Sequence, residues 1–408
     1  MSILDFLLYV ILSIYVYSPI NLTNDFINGL QTTSNPDTYL TPPQIITRHG
    51  YPVETFYVRT PDGFILQLHR IPNRDGNLLP ILLVHGYLDS SFTWIADGPE
   101  TALAYLLANQ GYDVWMINTR GNTFSRSHAN YTPMERAFWD FSFHEMGIYD
   151  IPTTIDFVLN KTNHNQLMCI CDSAGNSEFY ITLSVLPQYN DKVIAQVSLA
   201  PFYHESPSIL TIILQPIIDY ILEYLYQNTQ GAFLEHDLLT KLVVKVLTSV
   251  RFFGYSLYEF ALLIAYGWLP NHVNREIMPT IYNNFPAGTS VKTTQQLFQF
   301  ENSFSYFDYG LKENQQIYGT PSPPKYNISN INIPTRIYHA LLDIASSLKD
   351  VRSLYSKLPK KAGLIEISDL GFTHMDFIWN KNAKKLMYDD VIQFVNDVLN
   401  NNASSTIT

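Results

Sequence analysis

The chain has 408 residues, enough for one large domain with an insertion or for two domains. Hydrophobic residues make up 46% and charged residues 15%, which fits a core-rich globular protein and not a disordered chain. A formal net charge of −11, with no basic cluster, long charge run, fixed-period repeat or low-complexity tract, argues against nucleic acid as a partner, because phosphate binding needs basic surface.

Phe6 to Tyr17 is an apolar run of about a dozen residues, interrupted only at Ser13, too short to span a bilayer comfortably and suited to a signal-peptide core. Residues 1–20 are therefore expected to be a signal peptide. No Lys or Arg precedes the run and no small-x-small cleavage site follows it, so a retained anchor is the alternative. Sequons at Asn21, Asn130, Asn160, Asn327 and Asn402 are glycosylation candidates that fit a secretory route, extracellular or lysosomal.

Gln44 to Ile71 reads as a hairpin: "ETFYVRT" alternates, "PDG" turns and "FILQLHRI" alternates again. "PILLVHG" is a short, fully apolar strand ending in a glycine loop. "ETALAYLLANQ" has helical spacing and ends at Gly111; "YDVWMIN" is strand, "YDIPTTIDFVLNKT" helix, "QLMCICDS" strand, "SEFYITLSVLPQ" helix and "VIAQVSLAP" strand. This alternation predicts an α/β fold with a mostly parallel sheet covered on both faces. From about Ser208 to Gly319 helical apolar runs dominate, which predicts an inserted helical domain. Alternation resumes with "PTRIYHALLD", "KDVRSLYSKL" and "GLIEISD", before a last helix in "KLMYDDVIQFVNDVL". The domains expected are a core first part at 40–203, a helical cap and lid at 204–322 and a core second part at 323–400.

Cys169 and Cys171 are the only cysteines. They share one face of a strand, poorly placed to bridge, and no further ligands stand nearby for a metal.

A serine hydroxyl needs a histidine to take its proton, a carboxylate to orient that histidine, and donors for the oxyanion. In the doubly wound hydrolase frame these come in the order Ser, Asp, His, each after a strand. Ser173, in "CDSAGN", stands between a strand and a helix, where a sharp turn would present its hydroxyl and place the N–H of Ala174 beside it. Asp343 ends the strand "RIYHALLD" and is preferred for its place at a strand's carboxyl end. Asp350 opens a helix and reads as a cap or dipole partner; Asp369 is the other rival. His374, in "GFTHMDF", follows the last strand. His85, in "VHGY", reads as a loop brace, and that loop would supply the N–H of Tyr87 as second oxyanion donor.

Long stretches, including "GYPVETFYVRTPDGFILQLHRIP", "LVHGYLDSSFTWI", "LLANQGYDVWMINTRGNTFSR", "FWDFSFHEMGIYDIPTTIDFVL", "FPAGTSV" and "HMDFIW", resemble the acid lipases, the gastric, lysosomal acid and lingual lipases and their arthropod relatives. The resemblance runs from about Pro43 to Leu399. It implies an α/β-hydrolase fold with a helical cap and lid, and hydrolysis of carboxylic esters of neutral lipids, triacylglycerols or sterol esters, without cofactor or metal. It carries over Ser173, Asp343 and His374 as triad and the backbone N–H groups of Tyr87 and Ala174 as oxyanion hole. Tyr87 stands where the family usually has leucine. The chain departs from the family's usual Gly-His-Ser-Gln-Gly at Cys171 and Asp172, lacks the cap cysteine pair, and has "ALLD" in place of a glycine-rich approach to the aspartate. The alternatives are a catalytically impaired lipid-binding protein on this frame, or an esterase of shorter esters. A lipid–water interface is the expected surface partner.

Overall fold

The computed structural model describes residues 35–73, 78–205, 209–235, 237–249, 251–252, 255–267 and 272–405. The apolar run at Phe6–Tyr17 and the sequon at Asn21 lie outside them.

The chain enters through helix α1 (Pro42–Arg48), where the hairpin reading began too early. Thr41 and Gln44 close a capping box there, with a proline in the first turn, and Ile45 and Ile46 are buried. The hairpin proper is β1 (Glu54–Arg59) and β2 (Ile65–Ile71). The strands that follow are β3 (Pro80–Val84), β4 (Asp113–Ile117), β5 (Leu167–Asp172), β6 (Val193–Leu199), β7 (Thr335–His339) and β8 (Lys361–Glu366). They form one eight-stranded sheet in the order β1-β2-β4-β3-β5-β6-β7-β8. β1, β2 and β4 pair antiparallel in succession, and every other pair is parallel.

Helices α2 (Leu103–Asn109), α3 (Ile151–Thr162), α4 (Ala174–Val185), α11 (Leu348–Lys357) and α12 (Asp389–Ser405) belong to the strand–helix alternation. The central strands are buried on both faces, as their continuous apolar runs require. Alternate residues feed two core layers: Ile81, Leu83, Met168 and Ile170 lie in one, Leu82, Val84, Cys169 and Cys171 in the other.

Between β6 and β7 the chain leaves the sheet for α5 (Ile209–Asn228), α6 (Leu238–Ser249), α7 (Leu257–Tyr266), α8 (Met278–Asn284), α9 (Val291–Phe300) and α10 (Leu311–Ile317). Val244, Tyr258, Leu262 and Ile281 of this helical insertion are buried in the same layer as Phe372, Met375 and Phe377. The insertion is thus continuous with the core at the end of the sheet where β5, β7 and β8 finish. Among the described residues, no helix is long and apolar enough to cross a membrane.

Candidate active site

β5 delivers Asp172 and α4 starts at Ala174, so Ser173 is the whole of the turn. Its backbone sits at φ 48°, ψ −123°, a conformation that costs an L-residue on the order of 1–3 kcal/mol and needs surrounding structure to hold it. That structure is present. Ser173 N–H donates to Leu199 O, and Ser173 O accepts from the amides of Asn176 and Phe202. The Asn176 amide group reaches Cys171 O, Ser173 O and Leu199 O, and its own Oδ1 accepts from Gln196. Asn176 ties strand, turn and helix together, a role hidden in the sequence because its partners are backbone carbonyls.

The turn also demands close approach at two glycines. A Cβ on Gly175 would stand 2.5 Å from His85 O and 2.8 Å from Val84 O. One on Gly86 would stand 2.9 Å from Asp172 Oδ2 and 3.0 Å from Ser173 Cβ. Position 171, where the motif usually has glycine, has room instead. Cys171 is fully buried in an apolar layer, with its Sγ 3.3 Å from Cys169 Sγ and both thiols free.

Asp343 lies four residues past the end of β7 rather than at its last position. Its Oδ1 accepts the amides of Ala345 and Ser346 at 2.9 and 2.8 Å, and Ser346 Oγ donates to Pro201 O. This pins the loop. His374 is held by a second loop in which Asp376 accepts from Thr373 N, Thr373 Oγ1 and His272 Nδ1. The two loops bring the side chains into one line. His374 Nε2 is 2.8 Å from Ser173 Oγ, and His374 Nδ1 is 2.9 and 3.0 Å from the Asp343 oxygens. All three residues are buried.

The rival carboxylates are engaged elsewhere. Asp350 accepts from Ser347 and pairs with His204, and Asp369 accepts the Gly371 amide. His85 braces its loop: Nδ1 lies 2.8 Å from Gly86 O and Nε2 accepts from Thr119 N.

A family model described as "alpha/beta hydrolase fold" matches residues 80–381, and one described as "Partial alpha/beta-hydrolase lipase region" matches residues 42–98. The chain is 34% identical over 367 residues to Lipase 1 of Drosophila melanogaster, covering 89% of this chain and 81% of that one. It is 33% identical over 377 residues to the gastric triacylglycerol lipase of Bos taurus, covering 88% and 92%. The chain belongs to the α/β-hydrolase lipases. In fold alone it is similar to the solved structure of DcsB complexed with its substrate analogue, with a TM-score of 0.54 at 11% identity over 85% of this chain and 99% of that one.

Burial works against a charged His374, but the charge and hydrogen bonds of Asp343, helped by the charge of Asp172, outweigh it and leave its pKa raised. Asp172 is itself buried, and burial pushes it up to about 7; His374 pulls it down and Asp343 pushes it further up. Burial lifts Asp89 to about 8. The Asp172 and Asp89 carboxyls near the Gly86–Tyr87 loop are thus largely neutral in mildly acidic solution.

The Tyr87 and Ala174 amides stand on the two segments that meet at Ser173. Ala174 is the first residue of α4, whose first-turn N–H groups lack intrahelical acceptors. Tyr87 follows Gly86, and Leu88 after it has φ 60°. Above the imidazole, the Tyr266 ring at the end of α7 lies parallel to His374, 9° between planes and 5.8 Å between centroids. The sequence reading missed Tyr266, which lies 108 positions from its partner with nothing local to link them.

Asn130, Asn160 and Asn327 are exposed; Asn402 lies on α12. Among the described residues there is no cluster of His, Cys, Asp and Glu that could hold a metal.

Proposed function

We propose that the protein hydrolyses carboxylic esters of neutral lipids, triacylglycerols or sterol esters, with Ser173 as nucleophile, His374 as general base and Asp343 as its orienting carboxylate. The observation that carries this reading is the unbroken hydrogen-bonded line from Ser173 Oγ through His374 to Asp343. His374 takes the Ser173 proton as Oγ attacks the ester carbonyl. The N–H groups of Tyr87 and Ala174 hold the oxyanion. The alcohol leaves with the proton from His374, water attacks the acyl-enzyme, and the fatty acid departs.

The helical insertion, residues 204–322, is the cap and lid. Tyr266 over His374 supports this, because α7 must shift for a bulky ester to reach Ser173. Leu341, Leu342 and Ile344 flank Asp343 and are exposed, and Leu370 is exposed just before the His374 loop. Apolar side chains at the mouth of the site suit a lipid–water interface. Names of relatives such as gastric triacylglycerol lipase support the substrate class. The apolar Phe6–Tyr17 run and the exposed sequon asparagines support a secreted or lysosomal glycoprotein.

The test is fatty-acid release by the purified, glycosylated protein from emulsified long-chain triacylglycerol, a sterol ester and a soluble short-chain ester. Release from the long-chain lipids that Ser173→Ala abolishes is expected. Turnover of the short ester alone would make it an esterase. Lipid binding without release would make it a binding protein.

A further inference from the structure

Five residues beyond Ser173, α4 carries a carboxyl group into the core. Glu178 is buried, and its Oε2 finds no hydrogen-bond partner in the protein. The Arg120 guanidinium that attracts it is committed elsewhere: Nε and Nη2 donate to Asp150 Oδ1 at 2.8 and 2.6 Å, and Nη1 donates to Asp62 Oδ2 at 2.6 Å. Burial, then repulsion from Asp150, push the Glu178 carboxyl well above its ordinary range against the pull of Arg120. Both effects favour the protonated acid, the form that has a proton to donate.

Glu178 borders a cavity of about 10 Å³ beside the Gly86–Tyr87 turn, which Gly288 and Thr289 also line. Thr289 is buried, and its Oγ1 also finds no partner in the protein. That volume matches one water molecule, which needs at least two polar partners to stay. The walls are mechanically joined to the turn: Ala287 N–H donates to Leu88 O at 2.7 Å, and Thr123 N–H donates to Ala287 O at 2.9 Å.

We propose that Glu178 and Thr289 hold one buried water beside the Gly86–Tyr87 turn, and that Glu178 is thereby a positioning residue for the Tyr87 N–H. The proposal rests on the serine-hydrolase reading of the site. Neutral Glu178 donates to the water, and the water completes the packing beside the loop that presents the oxyanion donor. An anion at 178 could only accept, and its charge would oppose the oxyanion. The groups facing Glu178 and the cavity are Asp150 and Arg120, His85 and Asp89 from the turn, Tyr87, and Cys171 on β5. Burial drives His85 down to about 4 and Asp89 up to about 8, so both are neutral in mildly acidic solution.

The experiment compares Glu178→Leu, Glu178→Gln and Thr289→Val with wild type on a soluble ester, with thermal melts alongside. Glu178→Leu is expected to keep its Tm and lose roughly 10- to 100-fold in kcat at nearly constant KM, less than the 10²–10³ typical of losing an oxyanion donor outright. Glu178→Gln should recover most of that loss and weaken the alkaline fall of the pH profile. Thr289→Val, which tests the same water through its other partner, should also lower kcat. Infrared difference spectra at neutral pH should show a protonated-carboxyl band in wild type that Glu178→Gln removes, a readout independent of catalysis. Wild-type kcat in folded Glu178→Leu and Thr289→Val, an equal loss in folded Glu178→Gln, or absence of the band would each overturn the proposal. An inactive wild type that keeps the band would instead sink the serine-hydrolase reading.

Discussion

Position 171 faces an apolar layer, whereas position 175 faces the carbonyls of Val84 and His85, and this difference decides which glycine the turn needs. Gly175→Ala is expected to cost about 1–3 kcal/mol through overpacking against fixed backbone, and to lower kcat by moving the His85–Leu88 loop. Cys171→Gly should leave kcat within a few-fold and lower Tm modestly, because it removes only packing; a large activity loss in a folded Cys171→Gly would contradict this view of the turn. Asp172 has a sharper pH signature. Its folded pKa, about 7, lies above its ordinary value. A raised carboxyl contributes stability that is present below about pH 4 and is lost as pH rises through about 7. Asp172→Asn should therefore gain stability relative to wild type on going from pH 5 to pH 8, read by thermal melts. It should also lower the pKa of His374, moving the acid limb of kcat/KM to lower pH.

The strand β5, the turn and α4 form the element that makes the site, and most of it was legible in advance. "QLMCICDSAGNSEF" shows an apolar strand run, a small-residue turn and a helix start, all local signals. The His374 loop was legible as a loop after a strand, whereas Asp343 was expected at the end of its strand and lies four residues beyond β7. The α1 helix was missed because a seven-residue helix with two prolines gives little periodicity; its signal was the Thr41–Gln44 capping box. What the sequence hid were long-range partners: Asn176 on backbone carbonyls, Glu178 on a cavity and Tyr266 on His374. Of these, Tyr266 gives the clearest test of α7 as a cover. Tyr266→Ala should raise the rate of reaction with a soluble serine-directed probe in the absence of detergent, and should shrink the acceleration that detergent brings. An unchanged rate with and without detergent would mean that α7 does not limit access.

Across the whole molecule, one eight-stranded sheet with its central strands buried on both faces supports the three loops, and the insertion between β6 and β7 shares its core. The apolar rim at Leu341, Leu342 and Ile344 sits beside Asp343 on the outer surface. Replacing Leu342 and Ile344 with serine should reduce adsorption to, and turnover of, emulsified triacylglycerol several-fold while sparing a soluble ester; equal losses on both substrates would place these residues in the site's own architecture instead. Every part of this account depends on Ser173 being an activated nucleophile despite Cys171 and Asp172. The most direct measurement is reaction with a fluorophosphonate ester followed by peptide mass spectrometry, with and without detergent. The account predicts a single adduct on Ser173, absent in Ser173→Ala and strongly reduced in His374→Ala. A folded wild-type protein that takes up no probe under either condition would contradict it.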